Sequence, residues 1–541
     1  MTTQNRPAIS SRRSRIPAEV RADWRARGHL TDERIGWLLE GQARAIPEKI
    51  AVITSSKQIT YAELQRQASA VARTLVAAGI GAGDVVCWML PTDSDAVAVA
   101  SAIWRIGAIS SPIVPIYGMR EMVAVLDQVR PAAVVTNSEY RGRNLANEFD
   151  EALATVNQHP KARLLMEGAA AGWGDGEAEG PGSLPQHVTP APPEEPALIL
   201  FTSGTEAAPK GALHSGEGLV HEVRSCITDW GVTFRDTMFM ASPMTHITGL
   251  LQGYLIPTRA GGTALLMDRW NPEEAVNLIE QWGATYMAGA TPFLRELLAA
   301  YRRAGRDSSS LVQYCCGGAA VPPELIREAE ELGVAAYRAW GMTEMPTATI
   351  SNESDPLTAR SETDGRPAIG VEVRVADESS GDLVLPPGSE GALQLRAPEM
   401  MIGYVDASLD DRVFTSDGWL RTGDVGSVDA HGYVRVTGRT KDIINRGGEK
   451  FSVQEIERLI LAHPNITAAA VTALPAERLG EQIGAALVSS EPVSVEELGA
   501  FILSQGAAKQ KRPERIVLVD EIPMNSTGKV DRRALQALFM N

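Results

Sequence analysis

The chain has 541 residues, 44% of them hydrophobic and 22% charged, enough to bury a large core, which excludes a short peptide module or a disordered tail. Lysine and arginine total 51 against 67 acids, a net charge of -16 that opposes binding to nucleic-acid phosphates. The four cysteines, Cys87, Cys226, Cys315 and Cys316, form neither a C-x-x-C pair nor a dense framework, so a zinc ribbon and a disulfide scaffold are excluded and a reducing cytoplasm is expected.

The first 27 residues hold seven arginines and no apolar signal core. This start reads as a frayed basic terminus, with an organelle transit peptide as the other reading. No run approaches the roughly 20 apolar residues of a bilayer span. From Ala51 to Val114 the runs AVIT, YAELQRQASAVARTLVAAG, VVCWML and SDAVAVASAIWRIG alternate strand and helix patterns, which indicates a parallel α/β sheet. Gly168 to Pro196 is rich in Gly, Pro, Glu and Ala without periodicity and reads as an exposed excursion. The rhythm then returns through PALILF, TYMAGA, a helix at Pro323 to Leu332, and VAAYRAW, making a second sheet. Short alternating runs from Gly365 to Gly438, punctuated by Gly, Pro and Asp, predict a small β-barrel-like piece that closes the large domain. From Lys441, SVQEIERLILAH, AAAVTAL, IGAALVS, VEELGAFILSQ and ERIVLVDEI form an α+β unit. The expected organisation is a basic extension over 1–34, a large α/β domain of two sheet subdomains plus a small β-barrel over 35–440, and a small α+β domain over 441–541.

The densest chemistry lies in LILFTSGTEAAPKGALH, Leu198 to His214. An apolar strand runs into a loop where Thr202, Ser203, Gly204, Thr205 and Lys210 offer hydroxyls, amides and an ammonium to phosphate oxygens. The pattern is not G-x-x-x-x-G-K-[ST], since no second glycine precedes Lys210, and ordinary P-loop phosphoryl transfer is disfavoured. GIGAG, Gly79 to Gly83, follows a helix and precedes a strand, the wrong order for a dinucleotide loop. The histidines lack ligand spacing for a transition metal, and no G-x-S-x-G supplies a hydrolase nucleophile.

Seven motifs in order make a more specific signal than any one: the loop above, PMTHITG, CGGAAVPPEL, WGMTE, DGWLRTGDVG, GRTKDIINRGGEKF and NSTGKVDRRAL. Together they resemble the adenylate-forming superfamily of acyl- and aryl-CoA synthetases, luciferases and peptide-synthetase adenylation domains, over nearly the whole chain from about residue 35. The resemblance implies ATP, Mg2+ and coenzyme A as cosubstrates and cofactor, with a small-molecule carboxylic acid as the partner. It gives Lys529 contact with the carboxylate and α-phosphate, Thr343 the α-phosphate, Glu344 the magnesium, and His246 a substrate-positioning place between acyl pocket and pantetheine tunnel. Trp340, beside Gly341, takes the adenine-stacking position, Gly317, Gly318 and Ala319 the opposite wall, Asp424 the ribose hydroxyls, and Arg439 the ribose or phosphate. Lys441 matches the hinge about which the small domain moves, bringing Gly447 and Gly448 to the pantetheine channel.

Three positions depart from the superfamily pattern, one of them Ala207, which replaces a common glycine. Glu206 stands where a second threonine is usual, and Arg338 stands where an adenine-recognising amide is common, so Arg338 is expected to donate to a ring nitrogen instead. MAGATPFLREL and YRAWGMTEMPTAT resemble a subgroup that activates alicyclic acids such as cyclohexanecarboxylate, or fragments of sterol breakdown. The expected function is an AMP-forming acyl-CoA synthetase acting on an alicyclic, steroid-derived or medium-chain acid. The alternatives are a ligase that loads a separate carrier protein and a non-catalytic nucleotide-binding member of the fold. No nucleic-acid partner and no integral membrane segment are expected, and a homodimer is an open assembly.

Overall fold

A computed structural model describes residues 9–166, 171–172, 188–202, 209–318, 321–380, 382–440, 443–446, 449–476, 480–505, 507–524 and 530–540. Val85–Met89 is buried at every position, as a parallel strand covered on both faces must be, so it carries a continuous apolar run instead of an alternation. Helices follow at the expected places. Tyr61–Ala77 starts at a capping box in which Thr60 and Glu63 bond each other's backbone, and Ser94–Arg105 starts where Asp93 accepts from the amides of Asp95 and Ala96.

Two large sheets result. One has eight strands, in the order 403–404, 210–215, 196–202, 109–112, 85–89, 133–136, 162–165 and 171–172. The other has nine, in the order 366–367, 345–350, 335–342, 313–316, 286–289, 237–240, 263–266, 50–53 and 58–60. Membership crosses the chain order. Ile50–Ile53 pairs in parallel with Thr263–Leu266 of the nine-stranded sheet, whereas Pro196–Thr202 and Lys210–Ser215 form a hairpin on the eight-stranded one. Each sheet has its own core, one around Cys87, Val134, Phe149, Ile199 and Leu213, the other around Phe239, Leu265, Leu297, Tyr301 and Cys316.

The barrel-like piece is a five-stranded sheet ordered 383–384, 372–377, 390–396, 420–428 and 434–439. Tertiary contacts divide the chain into two compact units: 1–204, 208–372 and 395–420 form the first, and 205–207, 373–394 and 421–541 the second. Residues 421–440 therefore fall with the C-terminal residues, across the expected limit at 440. The tail folds around a long antiparallel pair, Ile466–Ala476 with Gly480–Ser489, to which Arg515–Leu518 adds in parallel. The amphipathic helix Val453–Leu461 buries Val453, Ile456 and Ile460 in the core of this sheet.

The N-terminal segment corrects the expectation of a frayed end. Among residues 9–34, Ile16, Trp24 and Leu30 are buried, and Ala18–Ala26 is a helix. Its arginines are anchors: Arg21 and Arg25 both pair with the fully buried carboxylate of Glu217, and Arg12 pairs with the fully buried Asp410. The excursion after Gly168 lies largely outside the described residues.

Candidate active site

Within the first unit, the site is built on two hairpins. Pro196–Thr202 and Lys210–Ser215 are antiparallel, with Thr202 opposite Lys210, so this segment pairs strand with strand and is not followed by a helix at Lys210 as a P-loop would be. Ser203, Gly204, Thr205 and the departing Glu206 and Ala207 lie outside the described residues. Lys210 Nζ lies 5.9 Å from the ring centroid of Tyr404, at the outer reach of a cation–π contact.

The second hairpin joins Ala335–Met342 to Met345–Ile350. Met342 pairs with Met345 and Trp340 with Thr349, so Thr343 and Glu344 are the two residues of the turn. Gly341 permits this closure: a Cβ there would stand 2.0 Å from the carbonyl oxygen of Pro346. The turn is held from three directions. His214 Nε2 donates to the carbonyl of Thr343 at 2.8 Å, the amide of Met401 donates to the carbonyl of Glu344 at 2.9 Å, and Tyr404 Oη donates to Glu344 Oε1 at 2.5 Å. His214 is buried, which pushes its pKa down to about 4 and keeps the ring neutral, with its proton on Nε2.

Trp340 is buried. Gly317 approaches the neighbouring strand so closely that a Cβ would meet the carbonyl oxygen of Ala339 at 2.9 Å, and Gly318 takes φ +78°; Ala319 lies outside the described residues. Thus Gly317, Gly318, Trp340, Gly341, Thr343 and Glu344 share adjacent strand ends of one sheet, because Gln313–Cys316 pairs directly with Ala335–Met342. His246 is exposed and its Nδ1 accepts from the amide of Thr248 at 3.3 Å, capping the short helix Ile247–Leu250.

Arg338 is held by acceptors within the first unit. Its Nε and Nη2 bond Asp364 Oδ1 at 3.0 and 2.5 Å, and Nη1 bonds the carbonyl of Ser361 at 3.3 Å. The guanidinium is thus anchored to Asp364 and Ser361. In the second unit, Asp424 and Arg439 stand directly opposite on neighbouring strands, with Arg439 Nε 3.0 Å from Asp424 Oδ1. Asp424 is buried and Arg439 exposed, so one carboxylate oxygen is held by a cation at the strand edge. Lys441, Gly447, Gly448 and Lys529 lie outside the described residues.

Two contributors escaped sequence reasoning. His214 ends the phosphate-loop segment without a chemical signature of its own, and Tyr404 sits in MIGYVD, far in sequence from Glu344. Nearby, a polar cluster fills the core: Thr347 donates to Glu222 Oε1, Cys226 Sγ lies 3.5 Å from the same oxygen, and Glu222 Oε2 meets no partner among the described residues. Burial raises the Glu222 pKa to about 7, and Glu399, also buried, is raised by burial and by Glu222.

Residues 39–405 match the AMP-binding enzyme family and residues 455–529 the AMP-binding enzyme C-terminal domain. The chain belongs to the AMP-binding enzyme family. Among its relatives, the medium-chain fatty-acid–CoA ligase of Escherichia coli (strain K12) is 33% identical over 530 residues, covering 96% of this chain and 93% of that one. The 2-hydroxy-7-methoxy-5-methyl-1-naphthoate–CoA ligase of Streptomyces carzinostaticus is 30% identical, covering 96% of each. Among solved structures, the amide bond synthetase McbA of Marinactinospora thermotolerans matches with a TM-score of 0.81 at 26% identity, covering 93% of this chain and 99% of that one. ATP-bound MatB of Rhodopseudomonas palustris matches with a TM-score of 0.80 at 25% identity, covering 94% and 99%. This AMP-binding enzyme has the adenylate-forming fold, a large N-terminal α/β domain followed by a small C-terminal one, and is an acid–thiol ligase in class.

Proposed function

We propose that this enzyme is an AMP-forming acyl-CoA synthetase that converts a medium-chain, alicyclic or steroid-derived carboxylic acid to its CoA thioester through an acyl-adenylate. The observation that carries the reading is the Thr343–Glu344 turn, fixed from three directions at adjacent strand ends, in a chain whose relatives include a medium-chain fatty-acid–CoA ligase.

A carboxylate is a poor electrophile because its charge is delocalised and its oxygen leaves badly. In the first half-reaction one carboxylate oxygen attacks the α-phosphorus of ATP, and the bond to the bridging oxygen breaks as pyrophosphate leaves. Both reactants are anions, so donors and cations must converge on the developing charge. In this reading those are Lys529, Thr343 and the loop of Thr202, Ser203, Gly204, Thr205 and Lys210. Mg2+, when bound, neutralises phosphate charge, and Glu344 would hold it. A carboxylate beside a hydroxyl fits a hard oxygen-seeking cation that takes its other ligands from water and phosphate. Trp340 would stack on adenine against Gly317, Gly318 and Ala319, while Asp424, oriented by Arg439, would accept the ribose hydroxyls.

In the second half-reaction the CoA sulfur attacks the acyl carbon, the bond to AMP oxygen breaks, and AMP leaves. His246 would lie between acid and pantetheine. Different groups serve the two steps, so the reading includes rotation of the 441–541 domain about Lys441, which exchanges Lys529 for Gly447 and Gly448. No helix among the described residues is long and apolar enough to cross a membrane, and a cytoplasmic enzyme is part of the same reading.

The test is CoA-thioester formation followed by mass spectrometry with alicyclic, aromatic and linear acids, ATP and Mg2+. Thioester that disappears in Lys529→Ala is the expected outcome and ranks the acids. Acyl-AMP without thioester would transfer the acceptor role to a carrier protein, and neither product from any acid would sink the reading.

A further inference from the structure

Residues 9–27 lie in a track that glycines keep open. A Cβ added at Gly83 would meet Ser10 Cβ at 3.0 Å, one at Gly418 would meet Pro17 Cδ at 2.6 Å, and one at Gly403 would meet Arg12 Nη2 at 2.6 Å and Asp410 Oδ2 at 2.8 Å. A larger residue at Gly418 would press on the Pro17 ring, and one at Gly403 would displace the ends of Arg12 and Asp410. The contact at Gly403 leads inward. Arg12 pairs with Asp410 Oδ2, and Arg15 Nε lies 3.4 Å from the same oxygen. Asp410 Oδ1 accepts the backbone amide of Tyr404 at 2.8 Å, and Tyr404 Oη donates to Glu344 Oε1 at 2.5 Å. The route from Arg12 to Tyr404 is well covered, with 0% side-chain exposure at Asp410 and 12% at Arg12, whereas Arg15 is exposed.

The physics gives this chain of contacts a direction. A fully buried carboxylate holds its geometry only with a counter-charge and hydrogen bonds. Arg12 supplies the first, and the Tyr404 amide is one of the second. Tyr404 in turn fixes one oxygen of Glu344 and lies under Lys210, so both hairpins of the site meet on this ring. Groups that orient a metal-holding carboxylate set affinity almost as strongly as the ligand itself.

We propose that Arg12 and Tyr404 are positioning residues for Glu344, which makes the segment around Arg12 a working part of the adenylation site. The inference rests on the reading of Glu344 as the magnesium-holding carboxylate. It extends that reading from Glu344 through Tyr404 and Asp410 to Arg12, which lies 398 positions from Asp410 in sequence.

The test uses Mn2+ in place of Mg2+ with the full-length protein in excess over ATP, separating enzyme-bound Mn2+ from Mn2+–ATP in solution by water-proton relaxation enhancement, alongside thermal melting. Tyr404→Phe, which removes one hydroxyl, should raise the Mn2+ dissociation constant about tenfold, the lower end of what loss of such a partner costs. Arg12→Ala should raise it several-fold, Arg12→Lys should recover most of that loss, and the double variant should bind no worse than Tyr404→Phe, because both act through one contact chain. Lowered melting temperatures with unchanged Mn2+ affinity would reduce the arm to a structural clasp and overturn the inference, as would additive losses in the double variant. Wild-type protein that binds no Mn2+ with ATP would instead remove the assignment of Glu344 itself, and the inference with it.

Discussion

At the residue scale, two buried titrating groups pull stability in opposite directions with pH. His214 has its folded pKa lowered to about 4 by burial, so between the ordinary value and 4 the unfolded chain takes up a proton that the folded one refuses. Stability from His214 is therefore lost as pH falls through that window. Glu222 is raised to about 7. Its neutral form is the one the fold accepts, so its contribution is complete below the ordinary carboxylate pKa and is lost as pH rises through about 7. The two overlap and oppose below the ordinary histidine pKa, but above it only Glu222 acts. Urea unfolding of Glu222→Gln should thus show a stability gain over wild type of about 1–2 kcal/mol at pH 8 that shrinks at pH 6; a gain independent of pH would show that Glu222 is not protonated in the fold. None of this was legible in sequence, where Glu222 is one acid among 67, because burial of a carboxylate is decided by what packs over the helix Gly216–Trp230.

At the scale of elements, the local signals did most of the work. Apolar runs, capping pairs such as Thr60 with Glu63, and glycines after helices locate strands and helices because period and cap chemistry act within a few residues. The WGMTE motif likewise becomes a hairpin turn, and Gly341 shows why the turn closes there. Gly341→Ala would force a Cβ against the Pro346 carbonyl, so we expect about 1–3 kcal/mol of destabilisation in urea together with loss of acid-dependent pyrophosphate exchange, since Thr343 and Glu344 would move. Retained exchange in a destabilised variant would mean that the turn tolerates displacement. Arg338 shows what motif position leaves out: its pairing with Asp364, 26 residues on, is set by how the strand Ala335–Met342 packs against the segment after Leu357–Glu362.

At the scale of the molecule, the N-terminal arm offers a stability test apart from the site. Glu217 is fully buried with Arg21 and Arg25 as its cations. Removing both as Arg21→Ala/Arg25→Ala leaves a buried charge unpaired and should cost about 3–5 kcal/mol in urea unfolding, with Glu217→Gln in that background restoring a large part. No cost would mean that solvent reaches Glu217. The sequence by itself determined the class of fold and the order of its elements, since patterning and turn chemistry are properties of short windows. Only the tertiary structure decided that Ile50–Ile53 leaves its sequence neighbours for the nine-stranded sheet, and that Pro196–Ser215 crosses to the eight-stranded one. It also decided that an arginine-rich start is an anchored arm, and that His214 and Tyr404 hold the Thr343–Glu344 turn. These outcomes depend on which apolar faces and buried charges find each other across hundreds of residues, and no local window contains both partners.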